Sequence, residues 1–67
     1  MIKIKLSELP IKAIFFETGG DTAYRKIREN LLITGIDKNN NEKKFYSDSI
    51  VLIFECDYDQ LLDQGGV

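Results

Sequence analysis

Apolar and charged residues alternate at the start of the chain, where Lys3 and Lys5 separate Ile2, Ile4 and Leu6. A period of two predicts a strand with one buried face. Ser7-Glu8-Leu9-Pro10 ends it, because proline fixes its own φ, supplies no donor and pushes Leu9 toward extended backbone. Ile11 to Phe16, rich in branched and aromatic side chains, predicts the next strand. Glu17-Thr18-Gly19-Gly20-Asp21 closes it with paired glycines, which reach positive φ without steric cost.

The stretch from Asp21 to Leu32 fits two periods. As a helix over about 22–32 it would be capped by Asp21 or Thr22, with Ala23, Tyr24, Ile27, Leu31 and Leu32 on one side. As a strand it places Thr22, Tyr24, Lys26 and Arg28 on one face, with Ala23, Arg25 and Ile27 on the other. The strand is preferred because its neighbours are all strands and a helix would displace one from a small sheet.

Leu31 to Asp37 predicts a strand with Gly35 as its bulge, and Glu42 to Tyr46 predicts its hairpin partner. The loop between them, Lys38-Asn39-Asn40-Asn41, uses asparagine's tolerance of left-handed backbone. After the tight Ser47-Asp48-Ser49 connection, Ile50 to Cys56 carries the longest apolar run, which suits a central strand. Asp57 to Asp63 predicts a short helical turn with Leu61 and Leu62, and Gly65-Gly66-Val67 is expected to fray.

Five to six short strands with tight turns predict a mainly β fold, a small antiparallel barrel or roll ending in a short helical turn. The alternative is an α+β fold with the helix at 22–32. Residues 1–56 form the expected barrel and 57–67 an acidic extension. Leu9-Pro10, Ile14-Phe15-Phe16, the segment from Gly19-Gly20-Asp21-Thr22 to Lys26, a hairpin and Val51-Leu52-Ile53-Phe54 follow one another in a characteristic rhythm. Over residues 6–55 this arrangement resembles the small Src-homology-3-like barrel proteins found among uncharacterised phage and prophage reading frames. The resemblance implies a barrel and a viral or mobile-element setting rather than a reaction. The acidic carboxyl end departs from that pattern.

Composition narrows the chemistry. The 67 residues include no histidine and one cysteine, Cys56. The missing histidine removes the commonest general base and metal ligand, and a lone cysteine cannot form an internal disulfide or a thiolate zinc site. Cys56 follows the most apolar segment and is expected to be a small buried hydrophobe. No apolar run approaches the roughly 20 residues of a membrane span. Lysines interrupt the amino-terminal segment where a secretion signal would be continuously apolar, so the reading expects a cytoplasmic protein, in the host cytoplasm if viral.

The net charge of −2 is unevenly spread. Met1 to Tyr46 holds nine basic and six acidic residues, whereas Ser47 to Val67 holds no basic and five acidic ones. The carboxylates of Asp57, Asp59 and Asp63 are therefore candidates for contact with a basic partner. They lack the ligand number and glycine of a calcium loop. Gly19, Gly20 and Thr22 offer main-chain and hydroxyl donors for a phosphate, although the loop has neither Walker nor dinucleotide spacing. Tyr24, Arg25, Lys26, Arg28, Lys43, Lys44 and Tyr46 mix cations with aromatic rings, as an anionic or nucleotide ligand requires. If Tyr24, Lys26 and Arg28 face outward they form one patch, and Arg25 lies on the other face.

With no catalytic constellation and no cofactor motif, the expected function is non-enzymatic binding. The protein would inhibit a host defence component by binding a host protein or sequestering a small anionic nucleotide. A small oligomeric virion structural or assembly protein is the alternative. General nucleic-acid binding is not expected of a net acidic chain, and homo-oligomers would support so small a core.

Overall fold

The computed structural model describes the backbone of residues 1–65 and the side chains of residues 1–61. Six strands follow in chain order: β1 (Ile2–Lys5), β2 (Ile14–Glu17), β3 (Ala23–Glu29), β4 (Leu32–Ile36), β5 (Glu42–Tyr46) and β6 (Ile50–Ile53). A 3-10 turn, Leu6–Glu8, follows β1, and the helix α1 (Glu55–Gly65) follows β6. All pairings are antiparallel, in one open sheet ordered β1-β6-β2-β3-β4-β5. The fold is thus mainly β, and residues 22–32 are not helical. β3 pairs on both sides, so a helix there would leave β2 and β4 without their common partner.

The sheet is rolled. β5 and β6 stand four places apart in the order, about 19 Å in a flat sheet at 4.8 Å per strand. The Ser47–Ser49 connection between Tyr46 and Ile50 spans at most about 14 Å. Curling brings the ends together: Leu6 N–H donates to Ser49 O at 2.9 Å and Ser7 N–H to Ser47 O at 2.9 Å.

Strand register sorts the side chains. The inner face takes Ile2 and Ile4, Val51 and Ile53, Phe15 and Glu17, Tyr24 and Lys26, Ile33 and Gly35, and Lys43 and Phe45. Phe15, Tyr24 and Phe45 meet at centroid distances of 5.2 to 5.8 Å. Gly35 makes this cluster possible, since a Cβ there would lie 2.9 Å from Phe15 Cζ and 3.0 Å from Phe45 Cε2. Its role is close approach rather than the expected bulge. The register shift of this hairpin lies on β3 instead, between Lys26 and Arg28, leaving Ile27 as the extra residue.

Three other boundaries differ from the sequence reading. β2 begins at Ile14 rather than Ile11, because Lys12 adopts φ 81. There Lys12 N–H donates to Lys26 O while Lys26 N–H donates to Ala13 O, so two residues face one. β6 stops at Ile53, and the helix starts at Glu55 instead of Asp57. Cys56 consequently sits exposed in the first turn of α1 rather than buried. Tyr58 and Leu61 pack α1 against the core. The side chains of Leu62 and Asp63 and the expected fraying at Gly66 and Val67 lie outside the described residues. No helix among the described residues is long and apolar enough to cross a membrane.

The hairpin turns match their sequence signals. Gly19 has φ 82 and Gly20 N–H donates to Glu17 O at 3.0 Å. In the β4–β5 turn Asn40 has φ 64, while Asp37 Oδ1 accepts from Asn39 N–H at 2.8 Å and Asn41 N–H at 3.0 Å.

Candidate basic face

The extra residue at Ile27 determines which cations share a surface. In an uninterrupted strand Arg25 and Arg28 would point to opposite faces. Here Arg25 partners Ile36 and Arg28 partners Thr34, two positions of β4 that share the outer face. Thr34 in turn partners Lys44, and Ile36 partners Glu42. Arg28, Thr34 and Lys44 therefore form one row across β3, β4 and β5, with Arg25, Ile36 and Glu42 in the next. Lys44 Nζ donates to Thr34 Oγ1 at 2.6 Å, and the threonine is buried beneath its neighbours.

An apolar group flanks this row. Leu32 and Tyr46 are cross-strand partners at its edge, and Leu31 occupies the adjacent β3–β4 turn. Leu31 is 97% exposed and Tyr46 73%. The surface thus carries Arg25, Arg28 and Lys44, one acid in Glu42, and three solvent-facing apolar side chains. Leu31, Leu32 and Thr34 were not singled out by sequence, where they read as ordinary strand positions. Position relative to a bulge is the missing information.

Tyr24 and Lys26 do not join this surface. Both face inward, so the outward patch expected of Tyr24, Lys26 and Arg28 does not form. Lys26 is fully buried, and its Nζ donates to Leu6 O at 3.1 Å, to Leu9 O, and to Glu29 Oε1 at 2.7 Å. These three acceptors match the three donors of an ammonium. Lys26 ties the Leu6–Leu9 turn to β3.

Lys43 is also committed. Its Nζ meets Glu17 Oε1 at 2.7 Å, across the open seam from β5 to β2, and lies 5.5 Å from the Phe45 ring centroid. The lysine's hydrogen bond holds the Glu17 carboxyl below its ordinary pKa, with help from Tyr24. The same bond raises Lys43. Burial, then the Glu17 carboxylate, push the Tyr24 phenol up.

Gly19, Gly20 and Thr22 lie at the opposite end of the strands from Leu31 and Tyr46. A hollow of about 440 Å³ beside them is lined by Asp21, Thr22, Asp37 and Lys38. Two carboxylates facing one ammonium oppose a phosphate there. A second hollow, about 340 Å³, is bordered by Ile14, Arg25, Ile36, Asp37 and Lys38. On α1, Asp57 is half-buried beside a cleft shared with Lys12, and Asp59 is exposed. Among the described residues no group of three or more Cys, Asp or Glu side chains is placed to hold a metal ion. No protein-family model, curated protein or solved structure matches this chain.

Proposed function

We propose that this is a non-enzymatic binding protein that takes an acidic protein surface on the outer face of β3, β4 and β5. The observation that carries this reading is the register shift at Ile27, which aligns Arg28 with Lys44 and brings Arg25 onto the same face. Leu31, Leu32 and Tyr46 beside the cations favour a protein over a nucleic acid. Interfaces with proteins combine apolar anchors with a polar rim, whereas a single-strand binder uses a series of stacking rings. Tyr46 is the one ring on this face. The outward curve of the rolled sheet likewise suits a macromolecule better than a small ligand, which needs a concavity. Occupying a partner's surface is sufficient for the inhibitory role expected from the sequence.

Anisotropy titrations with labelled polyglutamate and labelled oligothymidine test the reading, using the parent protein and the double variant Arg28→Glu/Lys44→Glu. Polyglutamate should bind more tightly than oligothymidine, weaken with salt, and lose at least about tenfold in affinity with the variant. Unchanged affinity in the variant, or tighter binding of oligothymidine, overturns it. The hollow beside Arg25 supports a second reading, sequestration of a small nucleotide. Its volume falls within the range of about 300–1,000 Å³ typical of ligand sites, with Ile14 and Ile36 as apolar walls and two cations against one carboxylate, Asp37, at the rim. No rise in melting temperature across a panel of linear and cyclic nucleotides would remove that reading.

A further inference from the structure

The basic face ends at an unpaired sheet edge. β5 is the last strand in the order, and its only strand partner among the described residues is β4. Asp37 N–H donates to Asn41 O at 3.1 Å, which fixes the hydrogen-bonding phase of the hairpin. Antiparallel alternation then directs the main chains of Lys43 and Phe45 toward β4, and those of Glu42, Lys44 and Tyr46 away from it. The Tyr46 carbonyl is taken by Ser49 N–H at 3.1 Å. The outward groups of Glu42 and Lys44 remain available to another strand.

Two features state what that strand must be. Lys44 stands on the outer face of the edge with Arg28 two strands away in the same row. A second copy pairing about its own Lys44 would set like charges directly opposite, which disfavours it. An acidic strand gains from the same lysine. Beside the edge, the seam between β5 and β6 contains a hollow of about 280 Å³, lined by Glu17, Thr18, Phe45, Ser49, Ile50 and Val51. Its carboxylate is already paired with Lys43, leaving Phe45, Ile50 and Val51 to accept an apolar side chain.

We infer that β5 captures an extended segment of a partner protein in which acidic and apolar residues alternate, added antiparallel to the sheet. An acid opposite Lys44 lies on the basic face, a neutral polar residue opposite Glu42 avoids a like charge, and the apolar residue opposite Phe45 enters the seam. In strand addition, main-chain bonds supply affinity and pockets for alternate side chains supply specificity. This inference rests on the acidic-partner reading above and adds the conformation and pattern of the bound segment.

The test uses a labelled peptide of alternating glutamate and valine whose last glutamate is replaced by glutamine, so that glutamine falls opposite Glu42 when glutamate falls opposite Lys44. In the antiparallel register the residue opposite Lys44 is glutamate, and its N–H points at β5. Methylating the glutamate main-chain nitrogens should weaken binding at least about tenfold, whereas methylating the valine nitrogens should leave it near the parent value. The unmodified peptide should also slow hydrogen exchange at the Lys44 amide and bind more tightly than polyglutamate. Equal binding of the two methylated peptides, or no advantage over polyglutamate, overturns strand addition while the basic-face reading stands. Failure of every peptide, polyglutamate included, overturns both.

Discussion

Replacing Lys26 with methionine tests the central packing argument directly. Methionine nearly conserves the volume of the buried stem and deletes the ammonium, stranding the Leu9 carbonyl and removing one of two donors from the Leu6 carbonyl, which keeps the Leu9 N–H at 3.1 Å. A buried acceptor left without a partner costs about 1–3 kcal/mol, and the lost second bond at Leu6 adds about 0.5–1.5 kcal/mol. Two effects reduce the total. The variant no longer holds a charge out of water, and Glu29, with its side chain 39% exposed, regains solvent at little cost. The net loss expected is about 1–3 kcal/mol. A chain of 67 residues has a total stability of only about 3–10 kcal/mol at 0.05–0.15 kcal/mol per residue. Lys26→Met therefore removes a large share of it.

Urea unfolding followed by circular dichroism measures this loss, with tyrosine emission as a second probe because the chain lacks tryptophan. Glu29→Gln separates the two halves of the contact. It retains both carbonyl bonds and removes only a partly exposed ion pair, so it should cost less than about 1 kcal/mol. Exposed Lys38→Met is the control and should be neutral within about 0.5 kcal/mol. A Lys26→Met protein as stable as the parent would refute the claim that the ammonium secures the Leu6–Leu9 turn. A Glu29→Gln loss equal to that of Lys26→Met would transfer the effect to the ion pair.

Gly35→Ala forces a Cβ to within 3.2 Å of Phe15, Phe45 and Tyr24 and should cost about 1–3 kcal/mol in the same unfolding assay. Gly20→Ala, whose nearest neighbour would be Glu17 Cβ at 3.4 Å, should cost clearly less; equal losses would contradict the close-approach argument. The lowered pKa values of Glu17, held chiefly by Lys43, and Asp37, held chiefly by Asn41 N–H, give acid-sensitive stability. It is present above the ordinary carboxylate range and lost as pH falls through the depressed folded values. Glu17→Gln and Asp37→Asn should each flatten the acid limb of the urea midpoint against pH, and an unchanged limb would exclude that residue. Cys56, exposed at the start of α1, should react with Ellman's reagent in the folded protein nearly as fast as in urea; strong protection would place it inside the core.

What could be read in the sequence depended on whether a local rule sufficed. Ile2 and Ile4 declared their inward face by alternation, and Gly19 and Asn40 marked turns because their backbone geometry is local. Lys12 gives no such signal, since a lysine reaches φ 81 only where tertiary bonds hold it, from Lys12 N–H to Lys26 O and from Lys26 N–H to Ala13 O. Cys56 follows an apolar run that reads as a strand, but β6 ends at Ile53 and the chain turns into helix. Lys26 is illegible for a similar reason. Its charge argues for solvent, and three acceptors contributed by distant or partly exposed residues decide otherwise.

The extra residue at Ile27 links the core to the proposed binding surface. Without it, Lys26 and Arg28 would share a face, and so would Arg25 and Glu29. With it, Lys26 and Glu29 both turn inward and meet at 2.7 Å, while Arg25 and Arg28 both turn outward. One shift of parity therefore supplies a carboxylate to a buried ammonium and a second cation to an exposed row. The sequence alternation of Tyr24, Lys26 and Arg28 could not reveal this, because a rule of period two carries its phase unchanged along the strand. The basic face exists because that phase is broken once, next to the buried lysine.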